Sequence, residues 1–149
     1  MAAIERTATV VWDGDGATGH GTLNVGSGAI SNLTISAPSR FEASNGNTSP
    51  EELIASAHAG CYGMALSFAL AGAGTPPTRL EVTSVVGLEK EAEGNGFRVA
   101  YSHLSLTGTV PGLDEAGFKA AAAEAKAGCP ISKLITGNAE ITLDVTFQG

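Results

Sequence analysis

Two cysteines in 149 residues are too few for a disulfide-stapled scaffold, so each has to be explained as packing, redox chemistry or metal binding. Charge is scarce as well. Charged residues make up 15% of the chain and hydrophobic ones 43%, a lean surface that leads us to expect area hidden in a homo-oligomer. Basic residues are the rarer sign. Lys+Arg at 8 against Asp+Glu at 15 give a net charge of -7, which repels a phosphate backbone, and no basic cluster offsets it, so no nucleic-acid partner is expected. Long uninterrupted apolar runs are missing too. No such run follows a basic segment after Met1, and the later apolar helix is broken by Ser, His and Gly. Neither an export signal nor a membrane anchor is expected, and the chain is assigned to the cytoplasm. The length fits a single domain, residues 1–149, with room for one core and one site.

What is present reads as an ordered series of elements. Ile4 to Trp12, Thr18 to Val25 and Ala29 to Ile35 alternate like strands, with Asp13-Gly14-Asp15-Gly16 and Gly26-Ser27-Gly28 as turns. Ala37 to Ser49 is rich in turn formers and reads as a loop. Ser49-Pro50-Glu51-Glu52 then has the form of a capping box with proline at the first helical position. The helix it opens, to about Ala71, carries apolar or small residues on nearly every face and is expected to be buried all round. Arg79 to Lys90 and Gly96 to Thr109 read as a hairpin. Asp114 caps a second helix through Ala127, Cys129-Pro130 opens a helical turn through Ile135, and a last strand runs from Ala139 to Phe147. Strands, helix, strands, helix, strand is the order of an α+β domain, with an antiparallel sheet around a central buried helix.

Cys61 lies about three turns into the long helix, beyond the reach of the helix dipole, so a reactive thiol there needs another positive charge. Without one, its default reading is a small buried hydrophobe. His58 stands one turn before it, on the same face. That spacing suggests a Cys-His pair or half a metal site, but no further ligands stand at zinc-like spacing, and packing or supporting hydrogen bonds are the expectation for His58.

Thr48-Ser49-Pro50-Glu51-Glu52-Leu53-Ile54-Ala55-Ser56-Ala57-His58-Ala59-Gly60-Cys61 and Ala127-Gly128-Cys129-Pro130-Ile131-Ser132 together resemble the OsmC/Ohr family of osmotically induced and organic hydroperoxide resistance proteins. Trp12, Ser39-Arg40-Phe41-Glu42 and Pro111-Gly112 extend the likeness over essentially the whole chain. The absence of Arg from Asp13 to Gly21, and the presence of Arg40, match the osmotically induced (OsmC) branch. The resemblance implies an intertwined homodimer of OsmC-like fold and a thiol peroxidase for organic hydroperoxides and hydrogen peroxide. In it Cys61 is the peroxidatic residue, Cys129 the resolving one through a Cys61–Cys129 disulfide, and Arg40 and Glu51 complete the site. No metal, haem or flavin cofactor is implied; the reductant is an external dithiol, such as a lipoylated protein.

These roles agree with the chemistry. A guanidinium stabilises a thiolate and a departing oxygen without losing its proton. A carboxylate beside a thiolate would raise its pKa, so the sensible task for Glu51 is to hold Arg40. Ten positions separate Glu51 from Cys61 on one helix, about 15 Å of rise, so Arg40 and Glu51 are expected to meet Cys61 of the partner subunit. Phe41, Tyr62, Met64 and Phe68 are chemically suited to an alkyl pocket, although such residues more often form core. Two other readings remain: a small-ligand binding module with structural cysteines, and a Cys-His hydrolase using His58 as base.

Overall fold

The computed structural model describes residues 1–149, which divide by contact density into residues 1–53 and 54–149. In the first unit β1 (Ala8–Asp13), β2 (His20–Val25) and β3 (Leu33–Ser36) form an antiparallel sheet in that order. The β1–β2 turn is organised by Asp15. Its carboxylate accepts from the Ala17 and Thr18 amides at 2.8 and 2.7 Å and from the Thr18 hydroxyl at 2.9 Å, an Asx-type turn. These bonds to Thr18 and Ala17 lower the pKa of Asp15.

The segment expected to be all loop contains a short helix, α1 (Ala37–Phe41). Its signal is local: Ser36 at the end of β3 forms a reciprocal capping box with Ser39, and Pro38 favours the first turn. The return of the chain is pinned twice. Ser39 Oγ donates to the Thr48 carbonyl at 3.0 Å, and the Thr48 amide donates to the Thr34 carbonyl at 3.0 Å. The peptide that leads into the next helix is thereby tied to β3 and α1.

That helix, α2 (Pro50–Gly72), begins at the expected proline. It is not buried all round. A stripe of His58, Tyr62, Leu66 and Leu70 is covered, whereas Met64 and Phe68 on another face are 63% and 73% exposed. The four covered residues recur every four positions, so within one chain only one face meets a core. By length and composition α2 also satisfies the requirement for a membrane span; the buried stripe is the pattern of a core helix.

In the second unit β4 (Arg79–Lys90) and β5 (Phe97–Thr109) form the expected hairpin, with a register shift at Gly87/Leu88. α3 (Glu115–Gly128) starts at Asp114, whose carboxylate accepts from the Gly117 amide at 2.7 Å. α4 (Pro130–Ile135) follows after one extended residue, Cys129. β6 (Glu140–Phe147) then pairs with β5 in parallel. The molecule is thus α+β with two three-stranded sheets, not one antiparallel sheet. The parallel pairing follows from the connection, since two intervening helices carry the chain back to the starting edge before β6 begins.

The core of this unit joins Tyr62, Leu66 and Leu70 of α2 to Leu104 and Leu106 of β5 and to Phe118, Ala122 and Ala125 of α3. Gly108 makes room for it: a methyl group there would stand 2.2 Å from the Phe118 ring. Cys129 belongs to the same cluster, and its side chain is fully buried.

Candidate active site

In the first unit, the last turn of α1 carries Arg40 and the first turn of α2 carries Glu51. The guanidinium grips the carboxylate through two nitrogens. Nη2 lies 2.7 Å from Oε1, and Nε lies 3.1 and 3.2 Å from Oε1 and Oε2. Glu51 is buried while the Arg40 side chain keeps 35% exposure, so a charged head group remains available beyond the pair. The Phe41 ring lies 5.4 Å from the guanidinium carbon, within cation–π range. Glu52 has a different task, as expected. Its amide donates to Ser49 Oγ at 3.2 Å, and its carboxylate accepts from Thr48 Oγ1 at 2.9 Å, which secures the helix start.

The two cysteines lie in the second unit and both are free thiols. Cys61 is half-buried on α2, and Cys129 is the single residue between α3 and α4. Their sulfurs are hydrogen-bonded neighbours, so the state of each depends on the other. Burial pushes the Cys61 thiol up, the Ile131 N–H opposes this, and neighbouring Cys129 adds to the rise. At Cys129 burial also acts upward, but it is outweighed by the Ser132 N–H, by Cys61 and by the Ser132 hydroxyl, and the net direction is down. Within residues 54–149 no cationic side chain acts on Cys61. The surroundings of Cys61 within residues 54–149 therefore favour its protonated form.

His58 is fully buried one turn before Cys61. Its Nδ1 meets Ser102 Oγ at 2.7 Å and its Nε2 meets Ser132 Oγ at 2.8 Å. Burial depresses its pKa, which favours the neutral ring. With both nitrogens engaged by serines, His58 has none left to act as a base on a cysteine, which counts against a Cys-His hydrolase. No cluster of metal-ligating side chains forms around it. The two serines were not singled out in the sequence: Ser102 is one small polar residue in an alternating strand, and Ser132 appears only as part of the second cysteine motif. No local pattern marks either as a partner of His58.

The aromatic and Met side chains suited to a pocket differ in exposure. Tyr62 is core, with its hydroxyl donating to the Ala122 carbonyl at 3.0 Å; Phe41, Met64 and Phe68 are exposed. An apolar groove of about 240 Å³ lies elsewhere, lined by Ile54, Ala57, Val99, Ile131, Leu134 and Ile135. Ile131 connects it to the thiols, because its N–H reaches both sulfurs.

The family model described as OsmC-like protein matches residues 43–144. Over 145 residues the chain is 40% identical to the peroxiredoxin OsmC of Escherichia coli, covering 97% of this chain and 98% of that protein. It is also 32% identical over 98 residues to the organic hydroperoxide resistance protein OhrA of Bacillus subtilis, covering 66% and 67% of the two chains. Among solved structures, an organic hydroperoxide resistance protein OsmC from Legionella pneumophila superposes with a TM-score of 0.75 at 25% identity, covering 98% of this chain and 99% of the other. OhrB of Bacillus subtilis gives 0.71 at 27% identity, covering 94% and 98%.

Proposed function

The chain belongs to the OsmC-like protein family, and on that premise we propose that Cys61 and Cys129 carry out its thiol-dependent reduction of organic hydroperoxides, and of hydrogen peroxide. The observation that carries the assignment is the contact between two free thiols, one half-buried and one buried. The Cys61 thiolate attacks the terminal peroxide oxygen, the O–O bond breaks, and the alkoxide takes a proton and leaves as an alcohol. Cys61 is then a sulfenic acid. Cys129 attacks its sulfur, the S–O bond breaks, and water and a disulfide result. An external dithiol, such as a lipoylated protein, returns both thiols to the start.

Arg40 activates Cys61 and stabilises the departing oxygen, and Glu51 orients Arg40. We assign the pair to the thiol of the partner subunit in a homodimer. Two observations support this. Glu51 and Cys61 are ten positions apart on the uninterrupted α2, about 15 Å of rise. No cation within residues 54–149 supplies the charge that Cys61 needs. The exposed Met64 and Phe68 of the same helix are suited to burial by a second copy. The groove beside Ile131 offers an apolar surface to the alkyl part of the substrate, and the cytoplasm, where thiols stay reduced, is the setting that this chemistry needs.

Mass spectrometry after one equivalent of cumene hydroperoxide tests the chemistry. The expected product has lost two hydrogens and carries a Cys61–Cys129 link. An unmodified chain would instead mark a ligand-binding protein with structural cysteines.

A further inference from the structure

His58 takes no part in the steps above, yet it lies at the centre of a buried chain of hydrogen bonds. Ser84 Oγ and Ser102 Oγ are 3.0 Å apart, Ser102 meets Nδ1 at 2.7 Å, and Nε2 meets Ser132 at 2.8 Å. His58 and Ser102 have no exposed surface and Ser132 has 2%. The chain joins β4, β5, α2 and α4. Its last link is the informative one. His58 is three positions before Cys61 on α2, and Ser132 is three positions after Cys129 on α4. The imidazole–hydroxyl bond thus ties the two cysteine-bearing elements together one turn from each sulfur. Ser132 also reaches the Cys129 sulfur through both its amide and its hydroxyl.

A neutral imidazole has one donor and one acceptor nitrogen, so its two serines must take opposite roles. With Ser102 donating to Nδ1 and Nε2–H donating to Ser132, the Ser132 hydroxyl proton is left free to point at Cys129. With the polarity reversed, Ser132 donates to Nε2 and its oxygen accepts from the Cys129 thiol. The network serves either protonation state of that sulfur without breaking.

We propose that His58 is a positioning residue for disulfide formation: through Ser132 it holds Cys129 in register with the sulfur of Cys61. The proposal rests on the reading of Cys61 as the oxidised sulfur and Cys129 as its attacker. In that step the S–S bond forms and the S–O bond of Cys61 breaks. Hydroxide departs and takes up the proton that Cys129 gives up, so water leaves and no outside oxidant is required. Cys129 is oxidised and the sulfenyl sulfur is reduced. His58 touches none of the reacting atoms. It acts by restricting where Cys129 is found.

A single-turnover experiment with one equivalent of cumene hydroperoxide separates the two halves of the reaction. Loss of hydroperoxide reports oxidation of Cys61, and quenched mass spectrometry reports the disulfide. In His58→Asn and Ser132→Ala, hydroperoxide should disappear at the wild-type rate while the disulfide forms about tenfold more slowly, the expected effect of lost positioning. The sulfenic acid should accumulate and be trapped by dimedone. His58→Gln, whose amide reaches the position of Nε2, should restore most of the rate. Should His58→Asn fail to fold, Ser132→Ala decides the matter, since it retains the ring and its bond to Ser102. Disulfide formation at the wild-type rate in the folded variants overturns the inference, as does equal slowing of both steps. A wild-type protein that consumes no hydroperoxide overturns the peroxidase reading itself, which is a different result.

Discussion

Arg40 holds the Glu51 carboxylate with Nη2 at 2.7 Å and Nε at 3.1 Å, so the orientation of the guanidinium is set by an acid buried at the start of another helix. A lysine has one charged nitrogen and no fork with which to reproduce this arrangement. Arg40→Lys should therefore lower the peroxidase kcat/KM about a hundredfold, the order expected for loss of an aligned cationic donor. Glu51→Gln, which keeps the shape but weakens the clamp, should cost less than Arg40→Lys. Steady-state assays with cumene hydroperoxide and dithiothreitol rank the two, and an unaffected Glu51→Gln would remove Glu51 from the site.

The proposed placement of Arg40 beside the partner's thiol predicts complementation. Arg40→Ala and Cys61→Ser proteins are each expected to be inactive alone. Mixed and allowed to exchange subunits, they form heterodimers with one intact site each, so a fully exchanged equimolar mixture should recover about a quarter of the wild-type activity. If every mixture stays inactive despite proven exchange, Arg40 and Cys61 act within one chain.

The pH dependence of alkylation follows from the Cys61 environment. Burial, the first influence on this thiol, drives its titration above the ordinary value of 9.0. A raised pKa means less thiolate at neutral pH, so Arg40→Ala should react with iodoacetamide slowly at neutrality and faster as the pH rises past 9.0. The wild-type protein, with the guanidinium lowering the same pKa, should reach its plateau at lower pH. Coincident profiles for the two proteins would show that Arg40 does not activate Cys61.

Gly108 faces Phe118 so closely that a methyl group would stand 2.2 Å from the ring. Gly108→Ala should destabilise the fold by about 1–3 kcal/mol, the usual penalty for overpacking a core. Adding Phe118→Leu should recover part of the loss by shortening the obstructing side chain. Urea denaturation of the single and double variants measures both effects, and additive losses would mean that the two residues do not clash.

Much of this molecule is legible in the residues because the relevant signals are local. The hairpin announces itself by alternation on both sides of Glu91 to Asn95, the start of α3 by Asp114, and the start of α2 by Pro50 after Ser49. α1 is harder to see, since its capping residue Ser36 is also the last residue of a strand, and the run after it has the composition of a loop. The direction of β6 is set by how far α3 and α4 travel, a tertiary quantity that alternation along β6 does not encode. The same holds for α2. Its all-round apolarity was readable, but which face is covered within one chain depends on what lies against it. Among the candidate residues, the cysteines, Arg40 and Glu51 stand out through the family resemblance of their motifs, and the chemistry of a carboxylate near a thiolate then suggests the pairing of Glu51 with Arg40. The serines around His58 acquire meaning only when β5 and α4 arrive at the same imidazole.

Cys129 ends one helix and opens the next. Its amide donates to the Ala125 carbonyl at 2.9 Å, and its own carbonyl accepts from the Lys133 amide at 3.0 Å, while its backbone is extended, with φ -65° and ψ 123°. A sulfur at such a joint draws on the torsions of one residue when it bonds to a neighbour and when it is released. Under the proposed resolving role, the torsions of this single extended residue between α3 and α4 are what an alternation of thiol and disulfide would draw on.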